Sequence, residues 1–186
     1  ANTYKVYNCV MVIICSCIIA ADKILARLLY AKDFYTAWQY VPWLTIAIVF
    51  GALSGYIGGF FSAVKDSKIF AQSTVVGAVL NLIMNIIFTP LTGPLGAAIA
   101  TAISYFIVWV IRYMKSRSLI KLRIRLIRDL MTYGILVVQS LVLLVVNDTL
   151  VLYMIQCILV LLIVISYRDD IMLFFSKFRN KLNQRR

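Results

Sequence analysis

The stretch NLIMNIIFTPLTGPLGAAIATAISY, residues 81–105, decides how this chain is read. It begins as an apolar run interrupted by two asparagines, Asn81 and Asn85. A turn, TPLTGP, follows, and the chain restarts in alanine, glycine, threonine and serine. Pro and Gly are the strongest punctuators of a helical pattern, and about 20 apolar residues carry a helix across the hydrocarbon. Two membrane helices joined by a short turn are therefore expected here.

The composition agrees. Hydrophobic residues make up 63% of the chain and charged residues 14%, against about 45–50% and about 25% for a soluble domain. Six segments are apolar enough to span: Val6–Ala21, Val41–Val64, Ile69–Phe88, Leu95–Met114, Leu130–Val146 and Leu150–Tyr167. Their runs are continuous, without apolar/polar alternation, which excludes a barrel. The expected class is all-α, a polytopic membrane helix bundle of six transmembrane helices. The first residue is Ala1, and neither a basic n-region nor a cleavage site precedes the first apolar run. Upstream sequence is expected, and the chain reads as part of a longer polypeptide.

Charge sets the orientation. Lys65 and Lys68, the cluster from Arg112 to Arg128, and the tail from Arg168 to Arg186 fall on one side with Lys5; Lys23, Arg27 and Lys32 fall on the other. Lys/Arg bias marks the cytoplasmic side, so both termini of this chain are expected in the cytoplasm. The outer loop YAKDFYTAWQYVPW, residues 30–43, is rich in Tyr and Trp and reads as an interfacial aromatic belt. Two basic pieces have amphipathic spacing: RSLIKLRIRLIR, residues 117–128, and a tail carrying Ile171, Phe174, Phe175, Phe178 and Leu182. Both are expected to lie on anionic membrane lipids. The net charge of +12 mostly resides there. Because it is juxtamembrane and no binding module surrounds it, nucleic acid is not an expected partner.

Catalysis finds no foothold. The chain has no His and no Glu, and its one adjacent carboxylate pair, Asp169–Asp170, sits among basic residues. Cys9, Cys15, Cys17 and Cys157 all lie in apolar runs without metal-ligand spacing and read as small hydrophobes. No enzyme activity, metal or cofactor is expected. Asp22, Lys23 and Arg27 read as the outer end of span one, and Arg112 as the inner end of span four, so no ionisable group is expected at mid-span.

Small and polar residues form stripes. Gly51, Gly55 and Gly59 recur at four-residue steps in span two, and Gly96, Ala100 and Ser104 in span four. Such residues let membrane helices approach closely. In span three, Gln72, Ser73, Gly77, Asn81, Asn85 and Thr89 trace a polar or small strip, mostly at four-residue steps. Interhelical hydrogen bonding, worth about 0.6–2 kcal/mol per contact, is one reading. The other is a wet crevice that meets a hydrophilic substrate.

The order LLYAKDFYTA (28–37), SAVKDSK (62–68), Asn81 and Asn85, then GPLGAAIATAISY (93–105), resembles the C-terminal half of Wzx-type polysaccharide-biosynthesis flippases, members of the multidrug/oligosaccharidyl-lipid/polysaccharide exporter superfamily. The resemblance covers about residues 20–115. It implies two pseudo-symmetric lobes, MATE-like, with two extra C-terminal helices. Residues 1–115 would then be four spans of the second lobe, 116–129 a basic cytoplasmic linker, 130–167 the extra helix pair and 168–186 a basic tail. The N-terminal lobe would belong to the same polypeptide. The resemblance further implies residence in the bacterial cytoplasmic membrane and flipping of an undecaprenyl-diphosphate-linked oligosaccharide by alternating access. Gln72, Asn81, Asn85 and Thr101 are the candidate cavity residues, since amides and hydroxyls both donate and accept hydrogen bonds. A drug or metabolite exporter of the same superfamily, or a non-transporting scaffold of a glycan assembly complex, are the alternative readings.

Overall fold

A computed structural model describes residues 2–63, 67–117 and 125–173. The described residues are helical, without strands. Their order is α1 (Asn2–Leu29), a 3-10 helix (Lys32–Gln39), α2 (Val41–Ala63), α3 (Ser67–Thr92), α4 (Pro94–Ser116), α5 (Leu126–Val145) and α6 (Leu150–Ser166). Five of them, α1 to α5, are long and apolar enough to cross a membrane, while α6 is apolar but only 17 residues long. These lengths make the chain a multi-pass membrane protein. Residues 64–66, half of the basic linker and the amphipathic tail beyond 173 lie outside the described residues.

Two boundaries differ from the sequence reading. Helix α1 does not stop at Ala21 but continues through Asp22, Lys23 and Arg27 to Leu29. The residues after Asp22 are good helix formers and no Pro or Gly intervenes before Leu29, so charge alone does not end the helix. Helix α3 likewise passes Phe88 and includes Pro90. It ends at a single left-handed residue, Gly93, with φ 63°. The Gly93 N–H donates to the Thr89 carbonyl at 2.9 Å, and the Gly96 N–H to the Gly93 carbonyl at 3.0 Å. Pro94 then opens α4 at its first turn, where a missing N–H costs nothing. Gly96 serves this turn directly: a Cβ there would stand 2.4 Å from the Phe88 carbonyl oxygen.

Contacts divide the described residues into two compact units. Residues 21–117 form one, and those up to 20 together with 125–173 form the other. This division cuts across the sequence-based segments, since the first twenty residues group with α5 and α6 instead of with α2 to α4.

In the unit of residues 21–117, α4 packs along both α2 and α3. Its small residues are buried on two sides, Ala98 with Ala102 and Ala100 with Ser104, as close helix approach in lipid requires. Further along, Phe50 of α2 meets Phe106 edge-on at 5.0 Å between ring centroids. Trp109 stacks on Tyr113 at 5.8 Å. Such pairs add about 0.5–1.5 kcal/mol beyond area burial. Helix α3 turns Val75, Val79, Leu82, Ile83, Ile86 and Ile87 outward, all exposed, a surface suited to lipid.

The glycine stripe of α2 sits differently from its four-residue spacing. A Cβ on Gly51 would meet the Tyr105 ring at 3.4 Å, but one on Gly55 or Gly59 would meet nothing within 4 Å. Gly58 is the glycine in tight contact, its Cβ position lying 2.6 Å from the Phe70 ring. Steps of four drift about 40° each around a helix of 3.6 residues per turn. The stripe therefore rotates off the interface, and the packed face runs through Gly51, Ser54 and Gly58.

In the other unit, polar side chains join the helices. Ser16 of α1 donates to Gln139 Oε1 at 2.9 Å, Gln139 donates to Gln156 Oε1 at 3.2 Å, and Gln156 returns a bond to the Gln139 carbonyl at 3.0 Å. All three side chains are buried. Past α6, Asp169 pairs with Arg125 at 3.3 Å and with Arg168 at 3.5 Å. The hydrogen bond from Arg125 holds the Asp169 carboxyl below its ordinary value.

Candidate functional site

Helices α2, α3 and α4 leave between them a cavity of about 340 Å³. Small residues create the space: Gly51 on α2, Gly77 and Ala78 on α3. Gly77 is required, because a Cβ there would stand 2.3 Å from Val108 Cγ2. Polar side chains line the wall: Ser54, Thr74, Asn81, Thr101, Ser104 and Tyr105.

One end of the cavity is formed by Arg112, which is 4% exposed. Its Nε donates to Ser73 Oγ at 2.9 Å and its Nη1 to the Ser54 carbonyl at 3.0 Å. Its Nη2 donates to Thr74 Oγ1 at 2.8 Å and to the Phe70 carbonyl at 3.4 Å. The Phe70 ring lies 4.2 Å from the guanidinium carbon. Every one of these partners is neutral, and among the described residues no carboxylate pairs with Arg112. Four of its five N–H groups are used, which leaves one Nη1 hydrogen. The charge is held in place by dipoles but is not cancelled.

The polar strip of α3 reaches the same cavity. Asn81 Nδ2 donates to Thr101 Oγ1 at 3.3 Å, across to α4. Asn85 Nδ2 donates to Asn81 Oδ1 at 3.0 Å, and Thr89 donates to Asn85 Oδ1 at 3.4 Å. A ladder of donors thus climbs α3 at four-residue steps and crosses to α4 at its foot. Asn81 and Thr101 line the cavity, Asn85 supports Asn81 from the next turn, and Gln72 is exposed on another face of α3. Among the small residues, Gly51 and Ser104 line the cavity, Ala100 is fully buried, and Gly55 and Gly59 are exposed.

The sequence reading did not single out Arg112 as part of this site. The signal was available in the spacing of Thr101, Ser104, Tyr105, Val108 and Arg112, which repeats as one helical stripe. An Arg near the end of an apolar run ordinarily snorkels to the interface; here it turns back toward α2 and α3.

Asp22, like Lys23 beside it, is a further buried charged residue of this unit that the sequence placed at a membrane edge. It is 2% exposed, and its Oδ2 accepts no hydrogen bond among the described residues. The neighbouring Lys23 lies over the Trp38 ring at 4.5 Å.

Compared with protein families, curated proteins and solved structures, the chain matches none.

Proposed function

We propose that the chain is part of a membrane transporter that flips an undecaprenyl-diphosphate-linked oligosaccharide across the bacterial cytoplasmic membrane. On this reading all six helices span. Those up to residue 115 belong to the second lobe of a two-lobed exporter, and both ends face the cytoplasm. The first lobe completes the pathway, and alternating access moves the substrate.

The observation that carries the reading is Arg112 at the end of a cavity whose lining also holds five hydroxyls and the Asn81 amide, among small and apolar residues. An isolated charge in a membrane helix is costly and marks a functional position by default. A guanidinium with a free N–H fits a phosphate oxygen, and its planar fork suits that geometry better than an ammonium does. The neutral groups Asn81, Thr101 and Ser54 match sugar hydroxyls, which need both donors and acceptors. The resemblance of residues 20–115 to Wzx-type flippases supports the same substrate class.

An exporter of cationic drugs is disfavoured by the uncancelled positive charge. A non-transporting scaffold gives the cavity no role. The test is flipping of the lipid-linked oligosaccharide in vesicles holding the full transporter. Arg112→Gln, inserted at wild-type levels, is expected to lower the rate at limiting substrate about tenfold or more, the worth of hydrogen bonds to a charged group. Unchanged flipping in that variant, or export of cationic drugs without flipping, would overturn the reading.

A further inference from the structure

The unit that holds α5 and α6 contains a second charged cluster, built from α1, α5 and the turn at Tyr167 with the helical residues 168–173 that follow it. Arg128 donates Nε and Nη2 to Asp129 Oδ1 at 3.2 and 3.0 Å. Its Nη1 lies 2.6 Å from Asp170 Oδ2. Asp129 is 2% and Asp170 3% exposed. One guanidinium therefore serves two buried carboxylates, and with both ionised the trio carries one uncancelled negative charge. Among the described residues, the ion pairs nearby do not supply the balance. Arg125 and Arg168 pair with Asp169 on the exposed side. Cys9 of α1 lies within electrostatic reach of Asp129, Asp170 and Arg128, and Tyr4 of α1 within reach of Tyr133.

The hydrogen bonds around Asp129 accommodate either charge state. The Tyr167 hydroxyl lies 3.3 Å from Asp129 Oδ1 and 2.9 Å from Thr132 Oγ1. It accepts from Asn8 Nδ2 at 3.0 Å, and Asn8 Oδ1 in turn accepts from Tyr133 at 2.8 Å. Thr132 Oγ1 is also 2.8 Å from the Asp129 backbone carbonyl. With Asp129 ionised, Thr132 donates to Tyr167 and Tyr167 donates to the carboxylate. With Asp129 protonated, the acid donates to Tyr167, Tyr167 donates to Thr132, and Thr132 donates to the Asp129 backbone carbonyl. Every hydroxyl keeps its partner in both arrangements, and Asn8 holds the Tyr167 oxygen throughout. A buried polar group left without a partner is what makes such a change costly, and neither Thr132 nor Tyr167 loses its partner here.

We propose that Asp129 is a proton-binding site, reached from the solvent and read out by reversal of the Thr132–Tyr167 hydrogen bond. One proton is gained, no other covalent bond is made or broken, and the Arg128–Asp170 ion pair remains as a neutral unit. A monovalent metal cation is the poorer ligand, because the guanidinium already stands within 3.2 Å of both carboxylates and would repel it. The site stands independently of the transport reading, since no cavity residue takes part in it.

The test is infrared difference spectroscopy of the full chain in lipid vesicles, titrated between about pH 9 and pH 4, the range that buried carboxyls reach. The expected result is the carbonyl stretch of one buried, protonated carboxyl, growing on acidification and shifting in heavy water. It should be lost in Asp129→Asn, whose amide can donate to Tyr167 as the protonated acid does, and kept in Asp169→Asn. Tyr167→Phe removes the acceptor of the acid proton and should displace the band. A band that survives Asp129→Asn, a band unmoved by Tyr167→Phe, or no band at all would overturn the proposal. So would a titration that shifts with sodium concentration. Absence of lipid flipping by the unsubstituted full transporter, with the band present, would count against the transport reading alone.

Discussion

The Phe70 ring of α3 lies against the Arg112 guanidinium of α4 in the space that Gly58 of α2 leaves open: a Cβ on Gly58 would stand 2.6 Å from that ring and 3.1 Å from Arg112 Nη1. Three helices thus meet at one cation through a missing methyl group. Gly58→Ala is expected to cost about 1–3 kcal/mol, the usual penalty for overpacking. Gly55→Ala, with nothing within 4 Å of its new methyl, should be neutral. Thermal unfolding in detergent compares the two; equal loss from both would show that the packed face does not pass through Gly58.

Asn81→Leu combined with Asn85→Leu should leave the protein inserted and folded, because the ladder it removes is worth only about 0.6–2 kcal/mol per contact. Flipping should nonetheless fall, since the cavity loses the amide that bridges to Thr101. Unchanged flipping by a stably inserted double variant would leave the ladder a purely structural feature.

Gln139 and Gln156 are buried and exchange hydrogen bonds with each other. Replacing Gln156 by Leu leaves Gln139 Nε2 unpaired, and replacing Gln139 by Leu leaves Gln156 Oε1 and Ser16 Oγ without their partner, at about 1–3 kcal/mol per unsatisfied group. The double replacement should cost less than the sum of the singles, as expected for residues in direct contact. A double-mutant cycle of unfolding midpoints measures this. Strict additivity would mean that the two amides are not coupled.

Asp169 is held below its ordinary 3.8 by Arg125. A depressed carboxyl contributes stability above the unfolded value and loses it as pH falls through the folded one. The difference in unfolding midpoint between wild type and Asp169→Asn should therefore be constant at neutral pH and shrink only once the pH drops below 3.8. A difference that changes near neutrality would point to another group.

Much of the architecture was legible because apolar runs and Pro/Gly breaks are local signals. TPLTGP located the α3–α4 turn to within a few residues, and Gly96, Ala100 and Ser104 of α4 are buried. The Asn81–Thr101 bridge joins two residues singled out from polarity alone. What the sequence hid depended on rotation and on partners far along the chain. Gly58 and Gly59 are neighbours, and only the helical phase decides which one faces Phe70. Arg112 and Asp129 sit near the ends of apolar runs, where a snorkelling side chain and a buried one read identically. Their burial depends on Ser54, Ser73 and Thr74 in one case, and on Asn8 and Tyr167 in the other.

Gly93 joins α3 to α4 through one residue in the left-handed region, with Gly96 pressed against the Phe88 carbonyl. A joint that short has no slack, so the two helices form a single lever. Any swing that opens or shuts the cavity must carry both together and move them against α2, where Gly51 and Gly58 provide the bearing. A spin label on either arm would then report the same displacement, and distances between the arms would stay constant while distances to α2 change.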